Sequence, residues 1–207
     1  MATNISKMFV GALHKIAAQP WVYDLIQRAA GQRKCIELVR KTVATLPAQT
    51  VVDVGGGTGN FREVWPANCR YVCLDLEMPK LLSFRAKVPD GLAVLSDGSR
   101  MSLASGSADV VTCIAVTHHL SGALLDRVMD EAFRVLRAGG RIVLFDPVVN
   151  RERWIGQMLW RLDRGAYPRT AEELREKLDR RFRVTHWERY AVYHEYALGI
   201  GTKLASD

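Results

Sequence analysis

The sequence predicts an α/β fold, a mostly parallel sheet with helices on both faces, and three observations carry that prediction. Val51-Val52-Asp53-Val54 is an apolar, β-branched run that enters a turn with four glycines, Gly55, Gly56, Gly57 and Gly59. From residue 50 to 147 short apolar runs alternate with helical patterns, as in a parallel sheet covered on both sides. Leu136-Arg137-Ala138-Gly139-Gly140 ends a helix and turns into a further apolar run, Ile142-Val143-Leu144-Phe145.

Residues 5–46 read as helical segments broken at Pro20 and Gly31, with Trp21, Tyr23, Leu25 and Ile26 on a mixed apolar face. The first strand, ending at Val54, follows a linker over 45–49. The helix after the glycine turn must be short, because Pro66 follows within two turns. Arg70–Asp75 reads as a second strand ending in an acid, Leu92–Leu95 as a third before Asp97, and Asp109–Ala115 as a fourth before Val116-Thr117-His118-His119-Leu120. Arg151–Arg164 has helical spacing, with Trp154, Ile155, Met158, Leu159 and Leu162 on one side. Thr170 and Glu173 have the spacing of a capping box, opening a helix to about Arg181. Phe182–Arg189 and Val192–Leu198 read as a final strand pair.

A strand that runs into a glycine-rich turn is how α/β folds make a nucleotide site at the strand's carboxyl end. Gly tolerates positive φ and has no Cβ, so the backbone can approach a ligand closely. The dinucleotide fingerprint started at Gly55 requires glycine where Asn60 stands, and no Lys follows the turn as a Walker A loop requires. Asp53 would repel a pyrophosphate but could pair with an ammonium. A ligand with an amino-acid end is favoured.

With Asp53-x-Gly55-x-Gly57-x-Gly59, the later strand-tip acids Asp75 and Asp97, and the Leu136-Arg137-x-Gly139-Gly140-x-Ile142-Val143 turn, the chain resembles the class I S-adenosylmethionine (SAM) dependent methyltransferases. The resemblance covers roughly residues 20–200. It implies a Rossmann-like, seven-stranded, mostly parallel sheet whose last strand is antiparallel, with an N-terminal helical cap. One domain is then expected over 1–207: cap 1–48, SAM-binding core 49–147, and acceptor-side helices with the final strand pair over 148–207.

The resemblance also assigns roles. Gly55, Gly57, Thr58 and Gly59 would bring backbone to the methionine moiety and ribose, and Asp53 would hold the ammonium directly or through water. Asp75 would accept from the ribose hydroxyls and Leu76 would cover the adenine. Asp97 would read the adenine amine with help from Gly98, although Ser96-Asp97-Gly98-Ser99 is also a good turn sequence. Ala115 would close the cofactor site. His118 and His119 are candidates for moving an acceptor proton, since imidazole has a suitable pKa. Either could instead pack against the sheet or orient the cofactor. Asp146 is a candidate acceptor contact, or else caps the following helix. The product would be S-adenosylhomocysteine (SAH).

Acceptor specificity in this family comes from the cap, here 5–30, and from 148–170. His14 and Tyr23 could close over the donor. Trp154, Met158, Trp160 and Tyr167 suit an aromatic pocket or plain core, and Arg164 and Arg169 could clamp a carboxylate or phosphate. His186, Trp187, Tyr190, Tyr193, His194 and Tyr196 cluster in the last strands.

At 207 residues the chain fits one α/β domain, with 48% hydrophobic residues and a net charge of +7. Arg alternates with Glu and Asp between 151 and 183, which favours solvated helix faces over an anion-binding surface. No apolar run reaches the roughly 18–20 residues of a membrane helix, and no secretion signal is recognised; the expectation is a cytoplasmic protein. Cys35, Cys69, Cys73 and Cys113 form no C-x-x-C pair, so buried free thiols are expected and no metal site.

The expected activity is methyl transfer to oxygen, nitrogen or carbon of a small molecule. The fourth strand lacks the Asn/Asp-Pro-Pro-Tyr/Phe of nucleic-acid amino-methyltransferases, so no nucleic acid is expected. An NAD-dependent oxidoreductase is disfavoured by Asn60 and Asp97. A SAM-using cyclase or isomerase, or a non-catalytic SAM-binding partner protein, is the alternative. Oligomeric state is not legible.

Overall fold

The computed structural model describes residues 31–150, 167–192 and 195–204. The N-terminal cap over 5–30, with His14 and Tyr23, lies outside the described residues. So do the expected helix Arg151–Arg164, with Trp154, Met158 and Trp160, and Tyr193 and His194.

A seven-stranded sheet organises the molecule, in the order β3-β2-β1-β4-β5-β7-β6. The strands are β1 (Thr50–Val54), β2 (Arg70–Asp75), β3 (Leu92–Leu95), β4 (Ala108–Ile114), β5 (Leu136–Val148), β6 (Arg183–Ala191) and β7 (Glu195–Thr202). β1 pairs in parallel with β2 and β4, β2 with β3 and β4 with β5. β7 is antiparallel to both β5 and β6. This is the expected Rossmann-like sheet. The order reverses at β1 and β4, and such a switch point opens a crevice at the strands' carboxyl ends.

Helices α1 (Gln32–Val43) and α2 (Met78–Lys87) pack on one face, and α3 (Gly122–Val135) and α4 (Ala171–Asp179) on the other. α1 begins just after Gly31, which precedes its first turn with a left-handed φ of 87°. It buries Cys35, Ile36, Val39 and Val43 at helical spacing, against Val51, Tyr71 and Val143. α3 lays Leu125, Val128, Met129, Ala132 and Val135 on the opposite face.

α4 starts with the expected capping box: Thr170 Oγ1 accepts from Glu173 N at 3.2 Å, and Glu173 Oε2 from Thr170 N at 2.9 Å. It ends at Asp179, a little before the expected Arg181. The short helix after the glycine turn is a single 3₁₀ turn, Arg62–Val64. The Gly139-Gly140 turn is drawn into β5 as a bulge: Leu136 pairs with Ala108, and regular pairing resumes at Arg141 with Val110.

Several late arginines are paired, as solvated helix faces would be. Arg175 meets Asp179 at 3.5 Å, and Lys177 of α4 reaches Asp126 of α3 at 2.7 Å. The four cysteines are free and buried; Cys69 sits in the bend before β2 rather than in a strand. Among the described residues no helix is long and apolar enough to cross a membrane, and no cluster of His, Cys, Asp and Glu could hold a metal.

Candidate functional site

A cavity of about 450 Å³ opens at the carboxyl ends of four neighbouring strands. β3 contributes Ser96, Asp97 and Gly98, and β2 contributes Leu74 to Glu77 with Lys80 behind them. β1 contributes Val54 and Gly55; β4 contributes Ala115, Val116, His119 and Leu120, with Leu124 and Val128 of α3 beneath. At about 4.8 Å between strands, four strand ends span roughly 14 Å, which suits an elongated ligand lying across the sheet.

Asp75 is the best-held acid among those lining the cavity. Its Oδ2 accepts from Gly57 N at 2.9 Å and its Oδ1 from Glu77 N at 2.8 Å. One amide on each oxygen fixes the carboxylate and leaves acceptor capacity on both. The glycine turn is locked beside it: Gly55 N donates to Leu74 O at 2.7 Å, and Gly59 N to Gly56 O at 2.9 Å. Gly55, Gly57 and Gly59 have φ of 69°, 57° and 76°. A Cβ on Gly55 would stand 2.4 Å from Val116 Cγ2. Backbone alone fits between β1 and the turn after β4.

Asp97 lies at the other end of the cavity. Its Oδ1 accepts from Ser99 N at 2.8 Å, so the acid both closes a local turn and borders the cavity. Leu76 stands at the rim, 68% exposed. Ala115 has φ 52°, the one non-glycine residue with positive φ among those described. Left-handed backbone at the mouth of a central strand costs of order 1 kcal/mol or more and often marks a functional site.

Not every candidate reaches the cavity. Asp53 is buried, one oxygen taken by Thr112 Oγ1 at 2.6 Å and the other by the Tyr71 hydroxyl. Burial pushes its pKa from 3.8 up to about 6; the bonds from Thr112 and Tyr71 pull the other way. Asp53 acts from below the turn rather than from its wall. Gly57, Thr58 and Gly59 also stand behind the wall, Gly59 against the ring of Phe84.

His118 and His119 diverge. His119 lines the cavity, whereas His118 is buried with Nδ1 2.5 Å from Asp146 Oδ1. A carboxylate only accepts, so Nδ1 carries the proton. Asp146 is itself 1% exposed and also takes the amides of Val116 and Thr117 at 3.0 and 2.8 Å. It orders the turn after β4 and caps no following helix among the described residues. Arg169 departs from the carboxylate or phosphate clamp suggested by the sequence: it donates to the carbonyls of Thr117, Tyr167 and Leu120.

The sequence did not single out Glu77, Lys80, Tyr71 and Thr112. Lys80 holds Glu77 at 2.6 Å across one helical turn, and i, i+3 spacing was a usable signal. Tyr71 and Thr112 are ordinary strand residues whose partner becomes visible only once β1 lies between β2 and β4. A separate, more open cavity of about 500 Å³, lined by Lys41, Arg141, His186 and Tyr190 among others, shares none of these residues.

Comparison with known proteins agrees with the fold. The profile of the methyltransferase domain family matches residues 52–144. An uncharacterized methyltransferase of Synechocystis is 28% identical over 61% of this chain and 63% of its own length. A human thiol S-methyltransferase, TMT1A, is 26% identical over 59% of this chain and 52% of its own length. The matches span between 42% and 63% of the length of the curated relatives. Magnesium protoporphyrin IX methyltransferase from Synechocystis, solved with bound SAH, superposes with a TM-score of 0.69 at 14% identity, over 86% of this chain and 87% of that one.

Proposed function

Since the chain carries a class I, Rossmann-like methyltransferase domain, its family profile matching residues 52–144, we propose that it transfers the methyl group of SAM to a small-molecule acceptor. The carrying observation is the cavity across four strand ends with Asp75 fixed at its middle. An acid so placed suits a ribose diol, as acids after the second strand do in nucleoside-binding folds. Asp97 and Leu76 would take the adenine side; the backbone at Gly55 and Ala115 would border the amino-acid end. Asp53 would act on the ammonium through its field, from beneath the turn.

The cofactor would supply a methyl group already activated by a sulfonium centre. What this chain must supply is alignment, which can account for much of the acceleration of such a displacement. His119 is the residue at the cavity wall with the right intrinsic pKa to take a proton from an acceptor. His118 and Asp146 would then be positioning residues that hold the turn carrying it.

The acceptor atom on this reading is oxygen, nitrogen or carbon, and the thiol S-methyltransferase among the relatives adds sulfur to the candidates. Binding of SAH by calorimetry, followed by a screen with radiolabelled SAM against metabolites and small thiols, tests the proposal. Loss of the cofactor half is seen as no heat with SAH. Binding of SAH with no consumption of SAM and no label on any acceptor would point instead to a cyclase or isomerase that keeps its SAM intact, or to a non-catalytic SAM-binding protein.

A further inference from the structure

The turn after β4 has its peptide groups taken from two opposite sides. On the amide side stands Asp146, which accepts from the N–H groups of Val116, Thr117 and His118 at 3.0, 2.8 and 3.3 Å. On the carbonyl side stands Arg169, whose Nη1 donates to Thr117 O at 2.7 Å and whose Nη2 donates to Leu120 O at 2.5 Å. Tyr167 N adds a bond to His118 O at 3.0 Å. The turn closes on itself through His119 N to Val116 O at 3.1 Å and Leu120 N to Thr117 O at 3.0 Å. His119 sits inside this clamp and lines the cofactor cavity.

Resting on the methyltransferase reading of that cavity, we propose that Arg169 is a positioning residue of the transfer site: with Asp146 it fixes the turn that presents His119. The shape of the side chain matters as much as its charge. A guanidinium offers donors in a rigid planar fork and can serve two carbonyls three residues apart. A lysine ammonium has a similar charge but no such fork.

The backbone of Arg169 is pinned as well. Its carbonyl accepts from Val149 N at 2.8 Å, just past the end of β5, and the next residue, Thr170, caps α4. The guanidinium therefore reaches the turn from a fixed base. Its burial lowers the pKa below the ordinary arginine value, and Asp146 is the first charge opposing that shift. The two ionic groups thus face each other across the turn, one holding N–H groups and the other holding carbonyls. Neither faces the cavity. An acid and a base could have been read as an acceptor site; the geometry gives them to the backbone instead.

Arg169→Lys and Arg169→Gln test this against the wild-type protein, by amide hydrogen exchange, SAH calorimetry and kinetics on the acceptor found in the screen. Charge-assisted bonds of this kind hold a group strongly enough that losing one should speed exchange at residues 116–120 by about tenfold or more. Residues 51–54 and 71–75 should keep their wild-type exchange, and SAH affinity should change by less than about threefold. The kcat should fall with little change in the KM for SAM, more in the glutamine variant than in the lysine variant. Unchanged exchange at 116–120 overturns the proposal. So does an equal rise of exchange across all strands, which would make Arg169 a general stabiliser. Should wild-type protein fail to bind SAH, the cofactor reading fails, while the exchange pattern still decides whether Arg169 holds the turn.

Discussion

Tyr71 of β2 donates its hydroxyl to the carboxylate of Asp53 on the neighbouring strand, in the buried layer under the glycine turn. The bond turns a strand-tip acid inward, where water cannot stabilise its charge. Desolvation accordingly dominates its titration and raises the pKa to about 6; Thr112 and Tyr71 oppose the rise and Asp75 adds to it.

Stability should therefore respond to pH in a particular direction. The folded chain holds this proton more tightly than the unfolded chain, whose aspartates titrate near 3.8. The favourable contribution is complete below about pH 4 and is lost as pH rises through about 6. The full swing is on the order of 3 kcal/mol. Urea unfolding at pH 4.5 and pH 7 should show wild-type stability falling relative to Asp53→Asn over that interval. Parallel pH profiles for the two proteins would contradict the assignment.

Ligand binding should respond oppositely. An ammonium near the turn favours the ionised acid, so SAH affinity should increase as pH rises through about 6. His119 and Asp75 also line the cavity. The informative quantity is thus the difference between wild type and Asp53→Asn. Calorimetry from pH 5 to pH 7.5 should show a several-fold rise in the wild type, and a flatter curve in the variant.

Gly55 and Val116 form a second testable pair. A Cβ at Gly55 would lie 2.4 Å from Val116 Cγ2 and 3.1 Å from its Cβ, in a residue held at φ 69°. Gly55→Ala should cost about 1–2 kcal/mol from left-handed backbone and a further ~1–3 kcal/mol from overpacking. It should also weaken SAH binding, because the turn must move. Gly55→Ala with Val116→Ala removes the nearest atom, so the double variant should recover part of the steric cost but none of the backbone cost. Chemical denaturation of the three variants measures this coupling. Strict additivity would mean the turn yields elsewhere.

Much of this architecture was legible in the chain because it rests on local signals. The β-branched entry to Gly55 and the Thr170–Glu173 box each declare themselves within a few residues, and each appears in the fold. Asp75 ends β2 and Asp97 follows β3; both line the cavity, and their places at strand tips follow from sequence spacing. What escaped were the pairings between strands far apart in sequence. Asp53 looked like a ligand contact until Tyr71 and Thr112 closed over it, and Thr112 is 59 residues away. Arg169 looked like an anion clamp until the turn 52 residues before it supplied carbonyls. A side chain's partner is a property of register and crossover, which a single strand does not reveal.

Asp75 carries the strongest expectation for the cofactor. Its carboxylate anchors Gly57 and Glu77 while retaining acceptor capacity toward the cavity. Asp75→Ala removes both functions at once. With charge-assisted hydrogen bonds worth about 1.5–3 kcal/mol each, SAH should bind at least about tenfold more weakly. Asp75→Asn keeps one acceptor oxygen and should lie between the two. Equal affinity in all three proteins would remove the ribose role from this acid.

The two adjacent histidines should separate cleanly. His119 faces the cavity, so His119→Ala should reduce turnover while leaving SAH affinity within about threefold, if it acts on the acceptor. His118 is buried against Asp146, and His118→Ala leaves a cavity and one fewer bond to a carboxylate that still holds three amides. Its expected cost is about 2–3 kcal/mol of stability, with turnover reduced because the turn under His119 loosens. His118→Asn should restore part of the stability, since its side-chain amide can donate toward Asp146. Thermal unfolding together with single-turnover rates distinguishes the two positions. Loss of SAH affinity in His119→Ala equal to its loss of turnover would reassign that ring to cofactor positioning.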